Sequence, residues 1–227
     1  MKNLILGDGL LGSEIINQSN WDYISRKKDK IDFRDTSSYK KYLKKYDTII
    51  NCIGHVDVYS SDKQMHWDIN YKAVSDLVDL CNTNNSKLVH ISTDFVYSNS
   101  VENACENDVP VHNGNWYGYT KLLSDAHIQL KSNNYLMIRT SYKPKPFPYD
   151  KAWTNQMGNF DYVDEIASII IKLIENKSSG IYNVGTELKT MYDLAKRTKN
   201  TVQPSNELYH KSMPTNITMD LSKLMSE

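Results

Sequence analysis

The sequence has few cysteines and no surplus of charge of either sign. Its three cysteines, Cys52, Cys81 and Cys105, are scattered over 227 residues without CxxC spacing. We therefore expect neither a disulfide framework nor a metal site, and a reducing compartment such as the cytoplasm is the expected location. Lys and Arg number 27, and so do Asp and Glu. This balance removes the electrostatic case for a nucleic-acid or membrane partner.

Long apolar runs are also lacking. No run approaches the roughly 20 residues of a membrane-spanning helix, and the apolar stretch near Leu4 is too short to predict a signal peptide. Hydrophobic residues make up 40% and charged residues 24% of the chain. These proportions are typical of a globular protein with one domain, or one domain and a small lobe.

Short apolar strands alternate with helical patterns along most of the chain. Strands are predicted at 4–6, 22–25, 47–53, 87–92, 135–139 and 181–184, and helices at 10–18, 38–46, 65–82, 116–130, 163–175 and 191–198. The alternation predicts an α/β fold, a Rossmann-type doubly wound parallel sheet. The proline-rich stretch 143–148 cannot be a regular helix or central strand. We therefore expect a dinucleotide-binding core over 1–142 and a small C-terminal substrate lobe over 143–227, interleaved with the last core strand and helix.

A glycine-rich loop follows the first predicted strand. Gly7, Gly9 and Gly12 form the pattern G-x-G-x-x-G, with Leu10 and Leu11 opening a helix. In this pattern the glycines permit a tight turn, a close approach of a pyrophosphate and close packing of helix on strand. The free N–H groups of the helix N-terminus attract phosphate. The loop predicts a dinucleotide site, against the alternative of a plain turn.

The end of the second strand indicates which dinucleotide binds. Ser25, Arg26 and Lys27 stand where an acid would hold a ribose 2′-hydroxyl and where basic residues accommodate a 2′-phosphate. NADP(H) is therefore favoured, and NAD(H) stays an alternative, since a solvated basic loop gives the same pattern. Further along, Asp32 and Phe33 are candidates to lie near the adenine.

The spacing Tyr-x-x-x-Lys places a phenol and an ammonium on one helix face, where the ammonium can tune the phenol as a proton donor. It occurs four times, as Tyr23/Lys27, Tyr59/Lys63, Tyr117/Lys121 and Tyr192/Lys196. Only Tyr117 and Lys121 begin a helix soon after a strand end that carries a hydroxyl, that of Thr93. We expect this pair in the site, against the alternative of a surface Tyr and Lys.

Several motifs in this order resemble the extended short-chain dehydrogenase/reductase family. They are the glycine loop, 50–54 (Ile-Asn-Cys-Ile-Gly), Asn70, 92–97 (Ser-Thr-Asp-Phe-Val-Tyr), 117–121 (Tyr-Gly-Tyr-Thr-Lys), 138–141, 161–167 and 180–185. The strand end at 92–97 is most similar to that of the nucleotide-sugar reductases of the dTDP-4-dehydrorhamnose reductase type. The resemblance covers nearly the whole chain.

The resemblance implies roles for individual residues. Thr93, Tyr117 and Lys121 would be the catalytic triad, with Tyr117 as proton donor, Lys121 as ribose ligand and Thr93 as the group that positions the carbonyl. The cofactor would also be lined by Cys52, Ile53 and Gly54, and the sugar would be faced by Asp94, Phe95 and Tyr142. His55 follows this cofactor loop, so it is a further candidate to reach the substrate.

The implied function is NADP(H)-dependent reduction of a nucleotide-linked 4-keto-6-deoxy sugar, as in rhamnose biosynthesis, by a homodimer. Phe95 stands where the related dehydratases carry Glu, and no cysteine lies near Asp94 to move protons as an epimerase does. Two alternatives stay open. One is an epimerase acting on another nucleotide sugar. The other is a non-catalytic binding or regulatory subunit, like the beta subunit of methionine adenosyltransferase, which the shortened substrate lobe favours.

Overall fold

The computed structural model describes residues 1–111, 114–207 and 213–227. Its centre is a six-stranded sheet in which every neighbouring pair of strands is parallel. The strands stand in the order β10-β5-β4-β3-β1-β2, with the bounds β1 Asn3–Leu6, β2 Asp22–Ile24, β3 Thr48–Asn51, β4 Lys87–Ile91, β5 Tyr135–Thr140 and β10 Gly180–Val184. The prediction of an α/β, Rossmann-type parallel sheet is confirmed.

Helices cover both faces of this sheet because successive strand residues point to opposite sides. Ile5 of β1 lies in one core cluster with α1 Leu10–Ser19 and α7 Val163–Glu175. Leu4 and Leu6 lie in the other, with α3 Thr36–Leu43, α5 Ala73–Asn84 and α6 Trp116–Lys131. The buried strands carry apolar residues on both faces, which explains their continuous apolar runs.

The helix predicted over 65–82 is composite. It consists of α4 Lys63–His66, a π-helical segment Trp67–Lys72 and α5, which ends at Asn84. Another difference concerns the helix predicted over 38–46, which begins at Thr36. It starts there because the Asp35 carboxylate accepts the Ser37 N–H at the N-cap.

The chain after β5 forms short strands and helices around a third apolar cluster, which includes Phe147, Phe160 and Ile217. The short strands of this part are β6 Tyr142–Lys143, β7 Lys151–Trp153, β8 Met157–Gly158, β9 Asp161–Tyr162, β11 Lys189–Thr190, β12 Gln203–Ser205 and β13 Asn216–Ile217, and its short helices are α8 Met191–Lys196 and α9 Ser222–Met225. A further short helix, α2 Arg26–Asp29, directly follows β2. Within the predicted lobe, 208–212 lies outside the described residues. None of the described helices is long and apolar enough to span a membrane.

Candidate active site

A cavity of about 1120 Å³ opens over the carboxyl ends of the central strands. The strand order reverses between β1 and β3, and open α/β sheets bind ligands at such a reversal. The predicted site residues that line the cavity are Gly9, Leu10, Leu11, Cys52, Ile53, Gly54, Thr93, Phe95, Tyr117, Lys121 and Tyr142. The structure therefore brings the glycine loop, the strand ends and the Tyr/Lys pair to one space.

The geometry of the glycine loop fits close approach by a phosphate group. A Cβ atom at Gly12 would lie 2.1 Å from the carbonyl oxygen of Gly7, and Gly7 itself has a φ of +96°. The turn beneath the cavity therefore requires glycine at both positions. At Gly9 a Cβ would meet nothing within 4 Å, and no side chain caps the N-terminus of α1 there. The free N–H groups at this helix end can hold a phosphate.

The predicted 2′-phosphate residues lie beside the glycine loop but do not line the cavity. The buried hydroxyl of Ser25 donates to Asp8 Oδ2 at 3.0 Å and accepts the Lys28 N–H at 3.1 Å. Arg26 and Lys27 are exposed on α2. Sequence reasoning missed Asp8, which places a carboxylate of the glycine loop against the end of β2. No spacing rule could have found this contact, because it joins residues 17 apart.

Asp32 and Phe33 do not line the cavity. Asp32 forms an ion pair with Arg34 at 2.7 Å, and Arg34 holds the pKa of the Asp32 carboxyl below its usual value. The Phe33 ring is buried against Tyr39, 5.6 Å between ring centroids, as part of the core. The side chain of Phe33 is therefore used in packing.

Thr93 and Tyr117 meet at the cavity wall. Thr93 follows β4, its hydroxyl accepting the Phe95 N–H at 3.2 Å, and Tyr117 lies in the first turn of α6. The Tyr117 hydroxyl shares a hydrogen bond with Thr93, and burial raises the pKa of this phenol to about 12. The phenol is therefore protonated at neutral pH and can donate its proton to an oxygen held beside Thr93.

Lys121 lies one turn after Tyr117 and is buried, with 3% of its surface exposed. Its Nζ donates to the Ile91 carbonyl oxygen at 2.6 Å and lies 3.2 Å from His90 Nε2. Burial lowers the pKa of Lys121 to about 8. The Cys52 thiol lies close enough to interact with it electrostatically, and burial raises the pKa of that thiol to about 12, so Cys52 is neutral.

The predicted substrate residues differ in their placement. Phe95 packs edge-on against the Tyr117 ring, with 5.8 Å between centroids. Tyr142 follows β5, the strand next to β4, and also lines the cavity. Asp94 is buried behind them, and burial raises its pKa to about 7 although the Lys143 charge acts in the opposite direction. One oxygen of Asp94, Oδ2, has no hydrogen-bond partner. Lys143 lines the cavity and was not singled out from the sequence.

His55 does not line the cavity. Its backbone N–H donates to Asn70 Oδ1 at 2.8 Å, and its ring contacts that of His66 in a tilted arrangement with 4.4 Å between centroids. Asn70 lies in the π-helical segment and also contacts His66 and Thr120. This segment therefore anchors the loop after β3 to α6. Within 1–111, 114–207 and 213–227, no cluster of three or more His, Cys, Asp or Glu residues could hold a metal ion.

The chain resembles nucleotide-sugar enzymes of known structure. A hypothetical dTDP-4-dehydrorhamnose reductase from Sulfolobus tokodaii is 25% identical, with a TM-score of 0.83 over all of this chain and 94% of that chain. A dTDP-4-dehydrorhamnose reductase from Bacillus anthracis, in complex with NADP, is 21% identical over all of this chain and 92% of that chain, again with a TM-score of 0.83. The UDP-glucuronic acid 4-epimerase from Bacillus cereus, in complex with NAD, is 19% identical, with a TM-score of 0.75 over all of this chain and 89% of that chain.

The family model described as the RmlD substrate binding domain matches residues 1–143. No curated protein matches the chain. The family match and the structural neighbours confirm the resemblance stated from the motifs, and with it the prediction of an enzyme of the oxidoreductase class. The chain belongs to the RmlD substrate binding domain family, as a dTDP-4-dehydrorhamnose reductase-like protein of the extended short-chain dehydrogenase/reductase type.

Proposed function

We propose that this protein reduces the keto group of a nucleotide-linked 4-keto-6-deoxy sugar, with NADPH favoured as the hydride donor. One observation carries the proposal. The protonated phenol of Tyr117, the hydroxyl of Thr93 and the amine of Lys121 lie at one wall of a cavity whose other end is the glycine loop. This arrangement suits the delivery of a proton to a carbonyl oxygen beside a bound dinucleotide.

The residues that would hold the cofactor are those of the glycine loop and the loop after β3. Gly9 leaves open space for a pyrophosphate, and Ile53 and Gly54 line the adjoining wall. Lys121 lines the same cavity one helical turn after Tyr117, where it would contact the ribose next to the nicotinamide. When bound, a reduced nicotinamide supplies the hydride that the protein's own side chains cannot.

The protein itself would donate a proton and orient the substrate oxygen that receives it. Thr93 would orient the substrate oxygen, and Tyr117 would donate its phenolic proton to that oxygen as negative charge develops there. Thr93 is buried and Tyr117 is partly buried, which limits the access of water to the proton donor. Phe95 and Tyr142 would form the apolar walls against the sugar ring.

The C-terminal part of the chain is proposed to supply the nucleotide side of the pocket. Tyr149, Lys151 and Trp153 line the cavity opposite the glycine loop, so 143–227 would act as the substrate lobe and 1–142 as the cofactor core. β10 and α7 come from the C-terminal part but pack into the central sheet. This packing supports a lobe that is interleaved with the core.

The homodimer expected from the sequence also stays a proposal. α6 packs against α5 and the π-helical segment within one chain. Trp67 and Tyr119 nevertheless remain 37% exposed each, so a second copy could cover them.

NADPH oxidation with dTDP-4-keto-6-deoxy-L-mannose, measured beside a fluorescence titration of NADPH binding, tests the proposed function. We expect saturable binding, turnover that depends on both compounds, and a product reduced at C4. Binding of NADPH without turnover of this or any other nucleotide-linked keto sugar would favour the non-catalytic subunit. Interconversion of sugar epimers with no net use of NADPH would favour the epimerase.

Two glycine variants distinguish the role of the glycine loop in stability from its role in NADPH binding. Gly12→Ala should destabilise the protein by about 1–3 kcal/mol, because the new methyl group overlaps the Gly7 carbonyl. Gly9→Ala should cost no more than about 1 kcal/mol, the cost of a poorer N-cap, yet weaken NADPH binding roughly tenfold or more, as the loss of 1.4 kcal/mol does. Thermal denaturation and NADPH titration measure the two effects. Equal NADPH affinity in Gly9→Ala and the wild type would contradict the placement of the pyrophosphate.

Cofactor choice should depend on Asp8. Its carboxylate lies against Ser25, at the strand end where a ribose 2′-substituent is expected. Asp8→Asn keeps the shape of this contact but removes a negative charge, so NADPH affinity should rise by roughly fivefold, as expected for about 1 kcal/mol near a surface. NADH affinity should change little. Lys27→Gln is the matched opposite change, and it should weaken NADPH binding alone. Equal effects on both cofactors would contradict this placement.

A further inference from the structure

A buried row of hydrogen bonds connects the cofactor loop to Lys121. The Ile53 N–H donates to Asn51 Oδ1 at 3.1 Å, and Asn51 Nδ2 lies 3.2 Å from His90 Nδ1. On the other side of the ring, His90 Nε2 lies 3.2 Å from Lys121 Nζ, which donates to the Ile91 carbonyl at 2.6 Å. Asn51 and His90 have no exposed surface, so water cannot substitute for a missing partner.

The first half of the row fixes which His90 nitrogen carries the proton. Because Asn51 Oδ1 accepts from the Ile53 N–H, the amide must present its NH₂ group to His90 Nδ1. That nitrogen must then be an acceptor. Burial holds the pKa of His90 well below its usual value, so the ring is neutral. A neutral imidazole has a single N–H, and here it is on Nε2.

The second half of the row then sets a condition on Lys121. An Nε2–H group needs an acceptor, and an ammonium group has three donors and no lone pair. An uncharged amine has one lone pair, so it can accept from His90 and still donate to the Ile91 carbonyl. Every group in the row is therefore satisfied when Lys121 is an amine, and two donors face each other when Lys121 is an ammonium.

We propose that His90 and Asn51 are positioning residues that favour the uncharged amine of Lys121 in the free protein and couple its protonation to the tautomer of His90. When Lys121 takes up a proton, His90 must carry its single proton on Nδ1 and Asn51 must turn its amide to accept it. The Ile53 N–H then loses its acceptor at the cavity wall. Protonation of Lys121 is in this way coupled to the backbone that would line the cofactor. The catalytic part of this inference rests on the proposed function, but the coupling itself does not.

Other charged groups around Lys121 act by charge and not through the row. Asp125, on the same helix, favours the ammonium form. Its carboxylate is already bound by Ser92 at 2.6 Å and by Arg139 at 3.1 Å. Tyr117 and the Cys52 thiol also face Lys121 and are neutral, since burial raises the pKa of each to about 12. Among the described residues, neither Asp125 nor these neutral groups form a hydrogen bond with Lys121, which leaves His90 and the Ile91 carbonyl as its hydrogen-bond partners.

Nitrogen NMR of the whole protein labelled with ¹⁵N-histidine tests the inference directly. Above the midpoint of the Lys121 titration, His90 should show a protonated Nε2 and an acceptor Nδ1. Below it, the two roles should exchange at the pH at which a labelled Lys121 side chain titrates. Lys121→Met identifies the lysine signal, and in this variant His90 should keep Nε2–H at every pH. A His90 with its proton on Nδ1 while Lys121 is uncharged would overturn the proposal.

Asn51→Asp provides a second test, because it should reverse the direction of the hydrogen bonds that involve His90. A carboxylate can accept from the Ile53 N–H and from His90 Nδ1–H together, which leaves Nε2 as an acceptor for an ammonium. The Lys121 titration and the alkaline limb of the pH profile of kcat should both move up by roughly one unit or more. If His90 changes its tautomer with the Lys121 titration as expected but the protein does not reduce the sugar, this inference stands and the proposed function is rejected. An unchanged Lys121 titration in a folded Asn51→Asp protein would reject the inference alone.

Discussion

Replacing Tyr117 by phenylalanine should lower kcat for keto-sugar reduction by about 10²–10⁴-fold, the usual contribution of a positioned acid. The substitution removes one hydroxyl, the one that shares a hydrogen bond with Thr93 at the cavity wall. The ring and its edge-on contact with Phe95 remain. NADPH affinity should therefore be nearly unchanged, and stopped-flow measurement of a single turnover should place the loss in the chemical step.

Tyr192→Phe is the matched control for this experiment. Tyr192 and Lys196 have the same spacing as Tyr117 and Lys121 but lie on α8, past the last strand of the central sheet. This variant should retain wild-type kcat. Equal turnover by Tyr117→Phe and the wild type would contradict the role of Tyr117 as proton donor.

Arg139→Leu should destabilise the protein by about 3–5 kcal/mol, the typical loss when one partner of a buried ion pair is removed. Arg139 is 1% exposed, and its Nε donates to Asp125 at 3.1 Å. It also donates to the Tyr97 hydroxyl. Among the residues that the structure describes, its loss leaves Ser92 as the remaining hydrogen-bond donor to the Asp125 carboxylate in the core. Urea denaturation followed by circular dichroism measures the effect.

Two further variants show whether the unpaired charge is the cause. The double variant Arg139→Leu, Asp125→Leu removes both charges and should recover a large part of the lost stability. Arg34→Leu breaks the exposed ion pair with Asp32 and should change stability hardly at all. A double variant less stable than Arg139→Leu alone would show that packing of the two side chains, and not the unpaired charge, is lost.

The elements that position the site follow from local sequence patterns. Each central strand is an apolar run, and the runs at 4–6 and 48–53 stop at Gly7 and Gly54. Their carboxyl ends therefore come together at one edge of a parallel sheet, and the side chains that follow them meet in one cavity. The rule that ligands bind at the carboxyl ends of parallel strands also selected Tyr117 and Lys121 from the four Tyr-x-x-x-Lys pairs in the sequence.

Features that depend on contacts between distant residues could not be predicted in this way. The π-helical segment around Asn70 interrupts an ordinary helical pattern, because the Asn70 amide binds the backbone of His55, fifteen residues earlier. The contact of the Phe33 ring with Tyr39 in the core was likewise not predicted from the sequence. The tautomer of His90 depends on side chains from two strands and a helix. No pattern within one segment of the sequence contains that information.

The most direct test of the proposed reaction is the fate of the hydride. With NADPH deuterated at the transferred position of the nicotinamide, dTDP-4-keto-6-deoxy-L-mannose should give a product with one deuterium bonded to C4, detected by NMR and mass spectrometry. The amount of labelled product should equal the amount of NADPH oxidised. A sugar product without deuterium at C4, or deuterium at another carbon, would contradict direct reduction of the 4-keto group in the cavity formed by Tyr117, Thr93 and Lys121.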